Sequence, residues 1–274
     1  MKILRRVAAV VLVLIAILAL GANICAPAAY DRQFREFPNQ SPGRTFPLGT
    51  DELGRDRFSR LLYGAQVSLL LAPAAAALTV LVALAVGLPA GLYGGFADRA
   101  ATAVIDLFLC LPWFFVLLAA RAVLPLNTGP WTSVTITFLL LGLLGWASGA
   151  RVVRSGTRSL LASDSAMQAR ATGSSTVRLA LVHLLPQLRP LVVSQFWLAI
   201  PAFLLAEANL GMLGLGVAEP MPSLGNSLAE LSNLHSVAAA PWMLAPAALL
   251  LVVLTCLHLL LSQSNRISIE GATR

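Results

Sequence analysis

Six apolar stretches constrain this chain more than any other feature of it. They run over residues 7–29, 67–92, 101–120, 133–150, 191–211 and 243–261, and each approaches or exceeds the roughly 20 residues a helix needs to cross the hydrocarbon core of a bilayer. Lipid offers no water to a bare peptide group, so each stretch must close its own backbone hydrogen bonds as a helix. The chain is 58% hydrophobic and only 11% charged, whereas soluble domains carry about a quarter charged residues. The expected fold is therefore all-α: a polytopic membrane helical bundle of six transmembrane helices. No long polar segment remains to build a separate globular domain.

The first stretch follows Lys2, Arg5 and Arg6, as a secretory signal would. Its apolar core is longer than the roughly 7–15 residues of a signal h-region, so an uncleaved anchor helix is expected. Six spans put both termini on one side, and the basic residues indicate which. With the N-terminus inside, Lys2, Arg5, Arg6, Arg99, Arg151, Arg154, Arg158, Arg170, Arg178, Arg189, Arg266 and Arg274 are cytoplasmic. The opposite side holds Arg32, Arg35, Arg44, Arg55, Arg57, Arg60 and Arg121, the first six interleaved with five acids. Both termini are therefore expected in the cytoplasm. The net charge of +7 sits at the flanks of apolar runs, which points to the bilayer surface and not to nucleic acid. The organisation expected is an anchor helix with an outer loop and interfacial helix (1–66), a membrane domain (67–265) and a short cytoplasmic tail (266–274).

One polar stretch interrupts the apolar pattern: SDSAMQARATGSSTVRLALVHLLP, Ser163 to Pro186. Ser163 or Asp164 caps a short helix that runs to Thr172, and Gly173 stops it. Ser174, Ser175 and Thr176 offer a second N-cap. Val177, Ala180, Leu181, Leu184 and Leu188 then recur at helical spacing, with Pro186 bending or ending the run. Two short amphipathic helices at an angle are expected, lying on the membrane surface or docked in a groove of a cytoplasmic partner.

Other residues narrow the chemistry. Asp106 and Glu207 are acids inside spans, costly there and usually turned to protein interior or water. A proton relay is one reading of them. The plainer one has Asp106 snorkelling or pairing with Arg99, and Glu207 pairing across a subunit interface. In GTDELGRDRFSRLLYG, Gly49 to Gly64, Asp56 begins a helix with an apolar stripe of Phe58, Leu61 and Leu62 and a polar face of Arg57 and Arg60; an interfacial helix is expected. Pro73, Pro89, Pro112, Pro201 and Pro246 are expected to bend or interrupt spans. Cys25, Cys110 and Cys256 are expected as buried thiols, with no CxxC pair. His183, His235 and His258 form no HExxH, and no GxSxG exists, so neither a metal site nor a catalytic centre is indicated. The only lysine is Lys2, so a P-loop is excluded, and any nucleotide energy must come from another chain.

The Ser163–Pro186 stretch resembles the cytoplasmic coupling loop of ABC importer permeases. That loop carries an acid-Ala-Ala triplet, a glycine after three further residues and a closing x-Leu-Pro; here Met167, Gln168 and Ala169 stand at the triplet, Gly173 at the glycine, and His183, Leu184, Leu185 and Pro186 at the close. PLGTDELGRDRFSRLLYGAQVSL (Pro47 to Leu69), YGGFADR and IDLFLCLP (between Tyr93 and Pro112), GARVVRS (Gly149 to Ser155) and EANLGMLGLGVAEPMPSLGNSLAE (Glu207 to Glu230) are similar to the C subunits of the dipeptide, oligopeptide and nickel permease branch. The resemblance implies a type I ABC importer permease fold with cytoplasmic coupling helices, in a bacterial inner membrane. It implies Asp164, Met167, Ala169, Arg170, Gly173, His183, Leu185 and Pro186 as the ATPase-coupling loop, and Gly211, Gly214, Leu215, Gly216 and Pro222 as the outer gate and binding-protein contact. It also implies the partners: a homologous second permease, two cytoplasmic ATPases that bind the ATP and magnesium, and a periplasmic solute-binding protein. This chain would bind no cofactor. The expected acid is absent at Met167, and Asp164, one turn upstream, is expected to replace its charge.

The expected function is thus that of a non-enzymatic membrane subunit of an ATP-driven importer for a small solute, a peptide first and nickel or another metal chelate second. The alternative, an ion-coupled secondary transporter, asks for intramembrane charges and usually an inverted repeat. The sequence offers two acids and no repeat.

Overall fold

A computed structural model describes residues 2–125, 129–232 and 240–261. Among these the chain is helical, with only isolated bridges such as Thr50 to Asp56. The helices are α1 (Lys2–Leu20), α2 (Ala22–Cys25), α3 (Arg57–Tyr93), α4 (Gly95–Cys110), α5 (Trp113–Val123), α6 (Pro130–Leu144), α7 (Trp146–Leu161), α8 (Asp164–Ala171), α9 (Thr176–Arg178), α10 (Leu185–Met212), α11 (Leu224–Ala229) and α12 (Ala245–Leu261). A π-helical segment, Leu179–Leu184, joins α9 to α10. Five helical runs are long and apolar enough to span a membrane, and the bent pair α4–α5 makes a sixth. The tail at 266–274 and His235 lie outside the described residues.

Two expectations about the spans are corrected. The interfacial helix does not exist as a separate element: Arg57 opens a single 37-residue helix that runs to Tyr93. Asp56 does begin it, accepting from the Ser59 backbone N–H at 2.9 Å. Arg60 is buried, not a wet polar face. The third span is broken where Pro112 was expected to interrupt it: α4 and α5 meet at 82° across Leu111 and Pro112, where the proline has no N–H to continue the ladder. The fifth span begins well before residue 191, because the helical run is continuous over Thr176–Met212. Pro73, Pro89 and Pro201 sit inside unbroken helices.

The chain forms two compact units. The first takes the chain as far as Ala72, Ala122–Thr137 and the chain from Pro201 onward. In it α1 lies against α12. On α1 the inward stripe is Ala8, Leu12, Ile15 and Ala19, while Val7, Val10, Val13 and Leu14 are exposed; that one-sided pattern suits a helix whose other faces meet lipid. On α12 the buried stripe is Leu250, Val253 and Leu257, joined by Cys256. Cys25 and Cys110 are exposed, so of the three thiols only Cys256 is buried.

The second unit comprises Pro73–Arg121 and Phe138–Ile200. Its close packing rests on small residues four apart on α3. A Cβ on Gly87 would lie 2.5 Å from the Ala150 carbonyl of α7, and one on Gly91 2.7 Å from Thr157 Cβ. Ala83 is buried one turn before them. Such small-xxx-small stripes let helices touch backbone to backbone, which supplies attraction where lipid removes any hydrophobic drive. Thr79 Oγ1 donates to the Gly142 carbonyl at 2.7 Å, tying α3 to α6.

Candidate functional site

The α8 element is a helical hairpin with its own small core. After α7 ends at Leu161, Ser163 Oγ donates to the Leu160 carbonyl at 2.6 Å and the chain reverses. Asp164 occupies the first turn of α8, where a negative charge favours the helix N-terminus. At the other end Gly173 takes φ +79°, its N–H donating to Arg170 O at 3.0 Å while Ser174 N–H donates to Ala169 O at 3.0 Å. That pair of bonds is a Schellman cap, which requires the left-handed conformation glycine adopts without penalty. Ser175 then accepts from the Arg178 N–H, and α9 begins.

The stretch after it keeps the expected stripe in part, with Ala180, Leu184 and Leu188 buried. Val177 and Leu181 are exposed, whereas Leu179 is buried. The cause is the π segment, whose wider turn rotates the buried face relative to an α-helix. This wide turn precedes Pro186, whose missing N–H and bulky ring an α-turn accommodates poorly. Pro186 therefore ends nothing. Leu179 and Leu184 pack with Ala166 and Ala169 of α8 and with Leu92, Leu160 and Leu161.

The structure thus brings Asp164, Met167 and Arg170 onto the exposed face of α8 and turns Ala169 inward. Val177, Leu181 and Val182 add an apolar exposed surface beside them. His183 and Leu185 are half-buried and Pro186 is exposed at the start of α10.

The acids find partners inside the chain. Asp106 pairs with Arg151, not Arg99. Glu207 is fully buried and does not reach across an interface: it accepts from Ser68 Oγ at 3.1 Å and from the Gly225 N–H at 3.1 Å. Sequence reasoning missed Asp98, whose buried carboxylate takes Arg154 at 3.0 Å and also Arg158. The available signal was the spacing of Arg151, Arg154 and Arg158, which puts all three on one helical face.

The glycine-rich segment after α10 is closed rather than loose. Gly214 takes φ +73° in a second Schellman cap, with Leu215 N–H donating to Leu210 O at 2.9 Å. Gly211 abuts Gly225, and a Cβ on Gly225 would lie 2.5 Å from the Glu207 carboxylate. Gly216 and Pro222 are buried, Leu215 is half-buried and Gly214 is exposed. Arg55 and Arg60 reach Glu219 at 2.6 and 2.8 Å, and Arg57 pairs with Glu230. Burial opposes the Arg55 charge, but its hydrogen bond to Asp51 and the charges of Glu219 and Asp51 outweigh it and raise its pKa. Asp51, Arg55, Arg57, Glu219 and Glu230 line a cavity of about 810 Å³. Among the described residues no cluster of His, Cys, Asp and Glu is placed to hold a metal.

Residues 83–266 match the family described as binding-protein-dependent transport system inner membrane component. The chain is 33% identical over 234 residues to the oligopeptide transport system permease protein OppC of Mycobacterium tuberculosis, covering 85% of this chain and 78% of that one. It is 32% identical over 255 residues to OppC of Escherichia coli, covering 91% and 81%. It is 30% identical over 215 residues to the dipeptide transport system permease protein DppC of Bacillus subtilis, covering 78% and 65%.

Proposed function

This chain belongs to the binding-protein-dependent transport system inner membrane component family, and from that premise we propose what it carries and how it is driven. It is a multi-pass permease subunit of an ABC importer, and ATP hydrolysis resides in separate subunits. The solute is a short peptide, as the names of its relatives say of them. The chain pairs with a homologous permease, two cytoplasmic ATPases and a periplasmic solute-binding protein. Its termini and α8 face the cytoplasm. Residues 67–265 form the membrane domain. The segment holding Gly211, Gly214, Leu215, Gly216 and Pro222 forms part of the outer gate and the contact with the binding protein.

One observation carries the coupling reading. The α8 hairpin has a buried core of its own and still leaves Met167, Val177, Leu181 and Val182 exposed. A helix that presents an apolar face beside charges suits a groove on a partner. Asp164 and Arg170 flank that face, and Asp164 supplies the negative charge that Met167 lacks.

The experiment is to express the chain with the products of adjacent genes and place a photocross-linker at Met167. Capture of an ATPase, together with ATP-dependent uptake of labelled di- to pentapeptides into proteoliposomes, is expected. No capture, or uptake that follows a proton gradient without ATP, overturns the proposal.

A further inference from the structure

Charged residues join α4 to α7. Asp98 accepts from Arg154 and Arg158, and Asp106 from Arg151. As the α4 number rises from 98 to 106, the α7 number falls from 158 to 151, so the two helices run antiparallel. Eight residues on one and seven on the other rise by about 12 and about 10 Å, which keeps both pairs in register. Around Asp106 the seam is also apolar: Ile105 and Phe108 pack with Trp146, Ala147 and Ala150, the Phe108 and Trp146 rings 5.2 Å apart.

Asp98 is the tight end of this clamp. Its side chain is only 8% exposed while holding two guanidinium groups from successive turns of α7. Only the loss of both guanidinium groups would leave the buried Asp98 carboxylate uncompensated, so the arrangement resists full opening. The same α7 ends at Leu161 and feeds α8 through a two-residue turn, with Leu160 and Leu161 in the core under α8. At its far end α4 stops at Cys110, and the chain bends by 82° into α5 at Leu111 and Pro112.

We propose that α4 is a lever: Asp98 clamps it to α7, so that it follows any displacement of α8, and the Leu111–Pro112 break is its pivot. The arm is 16 residues long, about 24 Å. Asp98 is a positioning residue that transmits force without touching solute or nucleotide. The proposal rests on the reading of α8 as the element that receives force from the ATPase.

The test uses the full chain in its reconstituted complex. Spin labels at Val104 on α4 and Ser155 on α7, both exposed, are introduced as cysteines with Cys25, Cys110 and Cys256 replaced by serine or alanine. The lever requires that the Val104–Ser155 distance stay within about 2 Å between nucleotide-free and ATP-trapped states, the scale of helix shifts that accompany switching. In Asp98→Asn that distance should broaden or change with nucleotide. Solute moved per ATP hydrolysed should fall about tenfold, within the range such networks modulate, with Asp98→Glu recovering most of it. A parent distance that changes with nucleotide, or Asp98→Asn coupling as the parent does, overturns the lever. Failure of the Met167 cross-link sinks the docking reading instead, and is separately visible.

Discussion

Glu207 on α10 and Ser68 on α3 meet at 3.1 Å in a site closed to solvent, where the carboxylate also takes hydrogen bonds from the Gly225 N–H at 3.1 Å and from the Ser223 side chain. Ser68 Oγ also accepts from the Leu224 N–H at 3.2 Å. A single acid therefore secures the start of α11, whose Ser223 cap accepts from the Asn226 N–H. Leaving its buried donors without an acceptor costs about 1–3 kcal/mol for each.

From this it follows that Glu207→Ala should destabilise the chain by roughly 2–4 kcal/mol, read as earlier thermal unfolding in detergent. Glu207→Gln keeps one oxygen to accept from the Gly225 N–H but presents an N–H where Ser68 now donates, a smaller loss than alanine causes, and should transport nearly as the parent does. A proton relay demands the reverse, with Glu207→Gln folded and dead. Uptake by the two variants against their melting curves separates the two roles.

The glycines nearby act for two different reasons, and substitution should separate them. Gly225 lacks space, since a Cβ there meets the Glu207 carbonyl and carboxylate at 2.5 Å. Gly214 has open space around it but a φ of +73°. Gly225→Ala should cost at least about 2 kcal/mol by overpacking, and Gly214→Ala about 1 kcal/mol by backbone strain. Gly214→Asn should recover part of that cost, because asparagine visits the left-handed region more readily. Equal losses for all three variants would contradict this division.

Hydropathy made the spans legible because lipid leaves a helix no alternative, and the Gly173 stop was legible because only one backbone conformation closes α8 there. Pairing was not legible. Asp106 lies seven residues from Arg99, close enough in sequence to suggest a bond, yet Arg151 takes it because α7 runs antiparallel alongside α4. The fate of Pro186 was hidden for a related reason. A proline ends an α-helix locally, but the preceding π turn absorbs it, and nothing in the apolar pattern announces that extra width. The run from Asp56 reads as an amphipathic surface helix until Glu219, far along the chain, covers Arg60.

Charge on the exposed face of α8 gives a third prediction. Asp164 is exposed in the first turn and Met167 is exposed one turn on. Reversal by Asp164→Lys also opposes the helix dipole, a penalty of about 0.3–1 kcal/mol, too small to unfold the chain. Solute moved per ATP should nonetheless fall several-fold, the size of one lost interfacial charge contact, about 1–2 kcal/mol. Met167→Glu in that background should restore much of it by returning an acid to the same face. Unchanged coupling in Asp164→Lys would remove this residue from the contact.

Gly173 provides the most local test of the coupling element. Its φ of +79° is set by the Schellman bonds to Arg170 and Ala169, and no atom lies within 4 Å of where a Cβ would stand. Sterics with neighbours therefore contribute nothing, and the cost of Gly173→Ala is backbone conformation alone, about 1 kcal/mol. Gly173→Pro is far worse: it fixes φ near −65° and deletes the N–H bonded to Arg170. The alanine variant should retain assembly with the ATPase and lose coupling modestly, while the proline variant should assemble poorly. ATPase co-purification and uptake measured side by side decide it, and a proline variant that assembles as well as the parent would mean that the hairpin geometry at Gly173 is not what the partner reads.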